Sequence, residues 1–203
     1  MKDLFVQEYF DAHKALKELS VFGATSARIL DEDFRVALLE EAEGYNYKPE
    51  DEIVGSRDKI VNQQVSSFDQ FSDRSNYVLL KDSWKELLEW RLTEFESHPF
   101  ESALSFDSMV LQRYEKGSMG ISPHRDGLRY INLVCVFVIG GRGRFYVCSD
   151  RSGRDAREID AAAGNVILMR APGLFGPEDS RPFHYVADIQ ETRYSLGLRQ
   201  TAR

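Results

Sequence analysis

PFHYVADIQETRYSLGLRQ, residues 182–200, sets two short β-rich runs, near 182–188 and 192–199, on either side of the polar Gln190-Glu191. In the second run Arg193 and Arg199 stand six positions apart, an even step, and alternate with the apolar Tyr194, Leu196 and Leu198. In a strand, residues at even separation share a face. The same texture extends back through the second half of the chain, with strands expected near 106–114, 129–139, 143–149, 156–160 and 164–170, and a weaker one before His124. Gly, Asp, Arg and Pro punctuate them, and IGGRGRF (139–145) reads as a glycine-rich hairpin connection. Seven or eight short antiparallel strands in so short a span predict a double-stranded β-helix, or jelly roll.

The first half, residues 1–105, reads differently. Phe5, Tyr9, Ala12, Leu16 and Leu19 fall on one helical stripe. A second helix follows Asp31 or Asp33 as cap, with Phe34, Leu38, Leu39 and Ala42 on one side, and ends near Gly44. A third starts at Asp82 or Ser83, runs through Trp84, Leu87, Leu88 and Phe95, and stops before Pro99. Strands are expected over Lys59–Phe68 and Asn76–Leu80. The reading is therefore α+β: one domain over 1–203, with a helix-rich part (1–105) packed on one sheet of a jelly-roll core (106–203).

The chain has 203 residues, of which 42% are hydrophobic, enough for one substantial core. No apolar run is long enough to cross a bilayer, and the first twenty residues carry acidic groups that a secretory leader lacks, so the expected location is cytoplasmic. The two cysteines, Cys135 and Cys148, lie in apolar runs and read as small buried hydrophobes, although a hairpin could pair them. The formal charge of −7 is uneven: 12 Lys+Arg and 22 Asp+Glu precede residue 106, against 14 and 11 after it. An acidic half of that size opposes extended binding to a phosphate backbone. Arg142, Arg144, Arg151, Arg154 and Arg157 form the one local basic run, which a solvated hairpin also explains.

His124-Arg125-Asp126 places an imidazole and a carboxylate two residues apart, on one face of an extended segment. Alone, such a triplet is a weak signal that a polar turn also gives, and His184 alone also reads as a partly buried, hydrogen-bonded strand histidine. Together, two histidines and one carboxylate leave three positions open on one face of an octahedral iron(II), enough for a bidentate co-substrate and dioxygen. The arginines extend the reading. If their face points into the sheet sandwich, each carries a costly charge unless a carboxylate meets it. A dicarboxylate would do so, held by the planar guanidinium through two parallel bonds with the Ser195 hydroxyl beside it. If the opposite face is buried, both arginines meet solvent instead.

From Gln112 to Gln200 these residues resemble the iron(II)/2-oxoglutarate-dependent dioxygenases, and among them the AlkB group. In that group Asn-x-Tyr precedes the His-x-Asp motif, and a distal His is followed by Arg-x-Asn-x-x-x-Arg. Here the corresponding residues are Gln112-Arg113-Tyr114, His124-Arg125-Asp126, His184 and Arg193-Tyr194-Ser195-Leu196-Gly197-Leu198-Arg199. Gln112 and Ser195 replace asparagines, and residues 1–105 offer no match to the group's nucleotide-recognition lid. The resemblance implies iron at His124, Asp126 and His184. It also implies 2-oxoglutarate at Tyr114 and Arg193, bordered by Gln112 and Ser195, with Arg199 bracing its metal-side carboxylate or the nearby site. The expected activity is hydroxylation of a C–H bond in a small-molecule or amino-acid-derived substrate, consuming O2 and 2-oxoglutarate and giving succinate and CO2. The alternative is demethylation of alkylated nucleobases in DNA or RNA. Arg129 and Tyr130 are candidate substrate neighbours, as are Gln63 and Phe68 within a possible lid over 61–71.

Overall fold

The structure, a computed structural model, describes residues 4–6, 10–56, 59–176 and 178–202. The order of elements is α1 (Ala12–Phe22), β1 (Ala24–Arg28), α2 (Glu32–Glu43), β2 (Lys48–Pro49), β3 (Ile53–Val54), β4 (Val61–Asn62), β5 (Ser66–Phe68) and α3 (Asn76–Leu92). There follow β6 (Ser108–Tyr114), β7 (Ile121–His124), β8 (Tyr130–Gly140), β9 (Arg144–Cys148), β10 (Arg157–Ile159), β11 (Asn165–Arg170), β12 (Phe183–Ala187) and β13 (Arg193–Thr201). A seven-stranded sheet, in the order β1-β11-β8-β13-β6-β5-β2, faces a four-stranded sheet, β10-β9-β12-β7. Every pairing is antiparallel. The small β3-β4 hairpin sits beside β7, where the Asn62 amide donates to Ser122 Oγ at 2.9 Å.

The period-two pattern of the central strands is split between two cores. Leu133, Cys135, Phe137, Leu196 and Leu198 turn outward to Leu19, Leu38, Tyr77 and Trp84 of the helices. Val134, Val136, Val138, Ile167 and Met169 turn inward to Phe145, Val147, Ile121 and Val186 of the smaller sheet. Sheets covered on both faces read as continuous apolar runs, which is why β8 is buried almost throughout. The α+β jelly roll with helices on one sheet is the architecture the sequence predicts.

Several local expectations change. α1 begins only at Ala12, because Asp11 caps it by accepting from the Lys14 amide at 2.9 Å. Phe5 instead bridges Leu30 in β fashion, and Tyr9 lies outside the described residues. α3 starts at Asn76 behind a Ser75 cap, so Asn76–Leu80 is helix and not strand. Tyr77, Leu80, Trp84, Leu87, Leu88 and Leu92 continue one buried stripe at steps of three and four, and that longer period wins. Phe95 lies beyond the helix, in a turn closed by its amide on the Leu92 carbonyl. The single strand expected over 59–68 is divided into β4 and β5, and β1, β2 and β3 were not anticipated.

The glycine-rich connection is not a hairpin. β8 belongs to the larger sheet and β9 to the smaller, so residues 141–143 cross between sheets. Gly141, at φ +76°, passes so close to Thr192 that a Cβ would stand 1.9 Å from its carbonyl oxygen. Cys135 and Cys148 consequently lie in different sheets, and both are free. Trp84 Nε1–H donates to the Cys135 sulfur at 3.3 Å, and burial pushes that thiol up to about 12.

Candidate metal centre

β7 ends at His124 and β12 carries His184, and antiparallel pairing sets these two residues opposite one another. Their ring centroids are 4.3 Å apart. Asp126 lies two residues beyond the end of β7, and one ligand atom from each of His124, Asp126 and His184 lies within 4.8 Å of the others. It is the one such cluster among the described residues. Each imidazole is oriented from behind: His124 Nδ1 is 2.9 Å from the Ser122 carbonyl and His184 Nδ1 is 3.3 Å from the Pro182 carbonyl. A carbonyl only accepts, so both Nδ1 atoms carry the proton and both Nε2 lone pairs are free for a metal. Phe145 stacks on the His184 ring at 5.7 Å and 12°.

The electrostatics suit a cation. Burial lowers the pKa of His184 to about 3, reinforced by His124, and lowers that of His124 too, so both rings are neutral at ordinary pH. For Asp126 burial works to raise the pKa, but Arg199 outweighs it, joined by the two histidines at the acid pH where they charge, and the carboxyl is held at about 2. Arg199 meets that carboxylate through two bonds, Nε to Oδ2 at 3.3 Å and Nη2 to Oδ1 at 3.4 Å. The Asp126 carboxylate is thus kept charged and aimed.

Arg193 presents the opposite condition. It is 1% exposed, Nη1 donates to Ser195 Oγ at 2.9 Å, and Nε and Nη2 are buried with no partner. The Tyr114 ring, 5.7 Å from its guanidinium carbon, is its aromatic neighbour. Burial lowers the arginine's pKa and pushes the Tyr114 phenol up to about 12, leaving it a neutral hydroxyl. Register places Arg193 opposite Tyr114 and Ser195 opposite Gln112, so the four residues form a patch on the inner face of β13 and β6. Arg193 and Arg199 therefore face inward, and the solvent-facing alternative is excluded for both.

The four substrate candidates scatter. Tyr130 lines a narrow cleft with Asp126 and His184, and its ring lies under Arg199 at 5.3 Å. Arg129 is exposed and donates to the Tyr130 hydroxyl at 2.8 Å. Gln63 is buried in the β3–β4 region, where its amide donates to the Asp51 carbonyl at 2.9 Å. Phe68 stacks on Tyr45 at 3.9 Å on the helix side of the large sheet, away from the cleft. Within 61–71, residues 61–62 and 66–68 are held in β4 and β5, and Gln63 bridges Ile121. The basic run near 142–157 is largely neutralised, with Arg142 on Glu191 at 3.2 Å, Arg144 on Asp188 at 3.3 Å and Arg154 on Asp150 at 3.4 Å.

Two features of the site had no reading in the sequence. Gly197 gives room to Arg199, since a Cβ there would be 2.6 Å from its Nη1. Arg181 donates to the Asp126 carbonyl oxygen. A glycine flanked at even spacing by Ser195 and Arg199 was a usable signal for the first; the second has no local signature.

No family model and no curated protein matches the chain. Solved structures do, and the fold they share with it is that of iron(II)/2-oxoglutarate oxygenases. A prolyl hydroxylase from Trichoplax adhaerens, in complex with a hypoxia-inducible-factor peptide fragment, aligns with a TM-score of 0.68 at 10% identity over 93% of this chain and 88% of its own. SnoN, a non-haem α-ketoglutarate-dependent epimerase from nogalamycin biosynthesis, gives 0.63 at 14% identity over 92% and 81%. OsALKBH1 gives 0.58 at 16% identity over 88% and 98%. The chain thus has the oxygenase fold, and its His-Asp-His cluster sits between the two sheets of that fold.

Proposed function

We propose that this protein is an iron(II)- and 2-oxoglutarate-dependent oxygenase that hydroxylates a C–H bond of a small-molecule or amino-acid-derived substrate. The observation that carries the reading is the buried guanidinium of Arg193, which bonds only Ser195 and leaves Nε and Nη2 without partners, on the inner patch it shares with Tyr114 and Ser195. A lone buried charge is costly, and a carboxylate would satisfy both orphaned nitrogens at once. His124, Asp126 and His184 would hold the iron on one face, which supplies the activation of dioxygen when bound. Arg193 and Ser195 would grip the distal carboxylate of 2-oxoglutarate, with Tyr114 donating its neutral hydroxyl nearby and Gln112 lining the same patch. Arg199 keeps Asp126 ionised and oriented. Valines of β8 and Phe145 exclude water from the inner space. The balance is substrate R–H, 2-oxoglutarate and O2 in, and R–OH, succinate and CO2 out.

Acidic residues dominate the first half of the chain, and acids already pair Arg142, Arg144 and Arg154; both facts favour a small substrate over a nucleic acid. Likeness to OsALKBH1 supports the demethylase reading at the level of fold. Anaerobic iron(II) with 2-oxoglutarate should give a weak visible charge-transfer band, and aeration should give succinate. His184→Ala should give neither. Iron-loaded protein with no band and no succinate would refute the reading. Formaldehyde released from methylated oligonucleotides, with no oxidation coupled to small molecules, would select the demethylase instead.

A further inference from the structure

The ladder that aligns the two histidines stops at the His-Asp-His cluster. β7 ends at His124, and the β7–β12 register is already irregular between His184 and Val186. Asp126 therefore hangs on a loop with no strand partner, and its backbone carbonyl needs a donor from elsewhere. Arg181 supplies it, donating from Nη1 to the Asp126 oxygen. The guanidinium is fixed by Asp179, with Nε to Oδ1 and Nη2 to Oδ2 both at 2.7 Å, and its side chain is only 11% exposed. Arg125, from between the two ligands of the first segment, reaches back the other way. Its guanidinium lies 4.3 Å from the Phe183 ring, and its Nη1 is 3.8 Å from Asp179.

We infer that the Asp179–Arg181 pair, with Arg125, is a clamp that sets the spacing of the His124–Asp126 segment against His184, and so positions Asp126 for the metal. These are positioning residues. They act on the backbone of one ligand and on the approach to another, where Arg199 acts on the carboxylate itself. The inference rests on the metal-site reading. Partners that orient first ligands typically change metal affinity by roughly 10–100-fold when removed.

The test is anaerobic titration of iron(II), and of cobalt(II) as a coloured probe, into the full chain and into Arg181→Gln, Arg181→Lys and Asp179→Asn. Arg181→Gln and Asp179→Asn should bind either metal about 10–100-fold more weakly and give an altered cobalt d–d spectrum, with far-UV circular dichroism unchanged. Arg181→Lys, which keeps one donor for the Asp126 oxygen, should recover part of the affinity. Joining Asp179→Asn to Arg181→Gln should cost little more than Arg181→Gln alone, as expected of residues acting as one unit. Arg154→Gln, which breaks a surface pair, should change nothing. Wild-type affinity and spectrum in Arg181→Gln and Asp179→Asn would overturn the clamp while leaving the metal site standing. Failure of the wild-type chain to bind either metal would instead overturn the site itself. Should Arg181→Gln not fold, Asp179→Asn, nearly the same shape, decides the matter on the same readouts.

Discussion

Replacing Arg193 by methionine should move two quantities in opposite directions, and the structure fixes both signs. The side chain is 1% exposed, has one hydrogen bond, and leaves Nε and Nη2 without partners. Exchanging a poorly satisfied buried ion for an apolar chain of similar length is often neutral or stabilising by about 1–4 kcal/mol. Losing the bond to Ser195 Oγ offsets about 1 kcal/mol of that. The protein without metal or co-substrate should therefore melt at the wild-type temperature or a few degrees above it. Binding of 2-oxoglutarate should collapse. Two hydrogen bonds from a charged donor contribute roughly 1.5–3 kcal/mol each, so the dissociation constant should rise by roughly 10²–10⁴-fold. Scanning calorimetry of the apo-protein and an anaerobic titration of the iron-loaded protein read the two effects separately. An affinity within about threefold of wild type, or an apo melting temperature lower by about 8 °C or more, would show that Arg193 is already satisfied within the fold.

Two further outcomes follow from the same geometry. For the metal-free protein, His184 has a folded pKa of about 3, below the unfolded value near 6.5, so the unfolded chain takes up the proton first. This imidazole should cost no stability above about pH 6.5 and roughly 1.4 kcal/mol per pH unit as pH falls toward 3; urea midpoints at pH 7.5 and 5 should differ less in His184→Asn than in wild type, and equal differences would refute it. Gly197→Ala puts a Cβ 2.6 Å from Arg199 Nη1, so the guanidinium must shift against Asp126; iron(II) affinity should fall about tenfold or more while the melting temperature changes little, and unchanged affinity would show that the pair tolerates the shift.

How far the sequence could be read depended on whether a feature was local. β6, β8, β11 and β13 were visible as short β-rich runs because each strand carries its own apolar residues between turn residues, and His124 with Asp126 was visible because two residues suffice to define a shared face. The orientation of Arg193 and Arg199 was not, since both faces of β13 are buried and the alternation reads equally well either way up. It is settled by Tyr194, Leu196 and Leu198 packing beneath the helices, which forces the arginines to the other side. α3 extends further toward the N-terminus than its sequence suggests, because Tyr77 to Leu80 also suits a short strand and only the Ser75 cap and the Trp84 stripe decide it. Arg181 reaches a carbonyl 55 residues away, and nothing in its own surroundings announces that.

Charge between the sheets ties the centre together. Asp126 and Arg199 form a pair that is neutral as a whole, and both histidines are uncharged, so Arg193 is the one unbalanced ion on the inner patch of β6 and β13. Adding iron(II) at the triad places two more positive charges in the same low-dielectric space, where they repel the arginine more strongly than they would in water. A dianion with one carboxylate for the arginine and an α-keto acid for the metal removes both penalties at once. Metal and co-substrate should therefore each raise the other's affinity, and that reciprocity belongs to the pair of sites and to neither alone. A monocarboxylate such as pyruvate could chelate the metal but would leave Arg193 unmet, which gives the fold a physical reason to select the longer diacid.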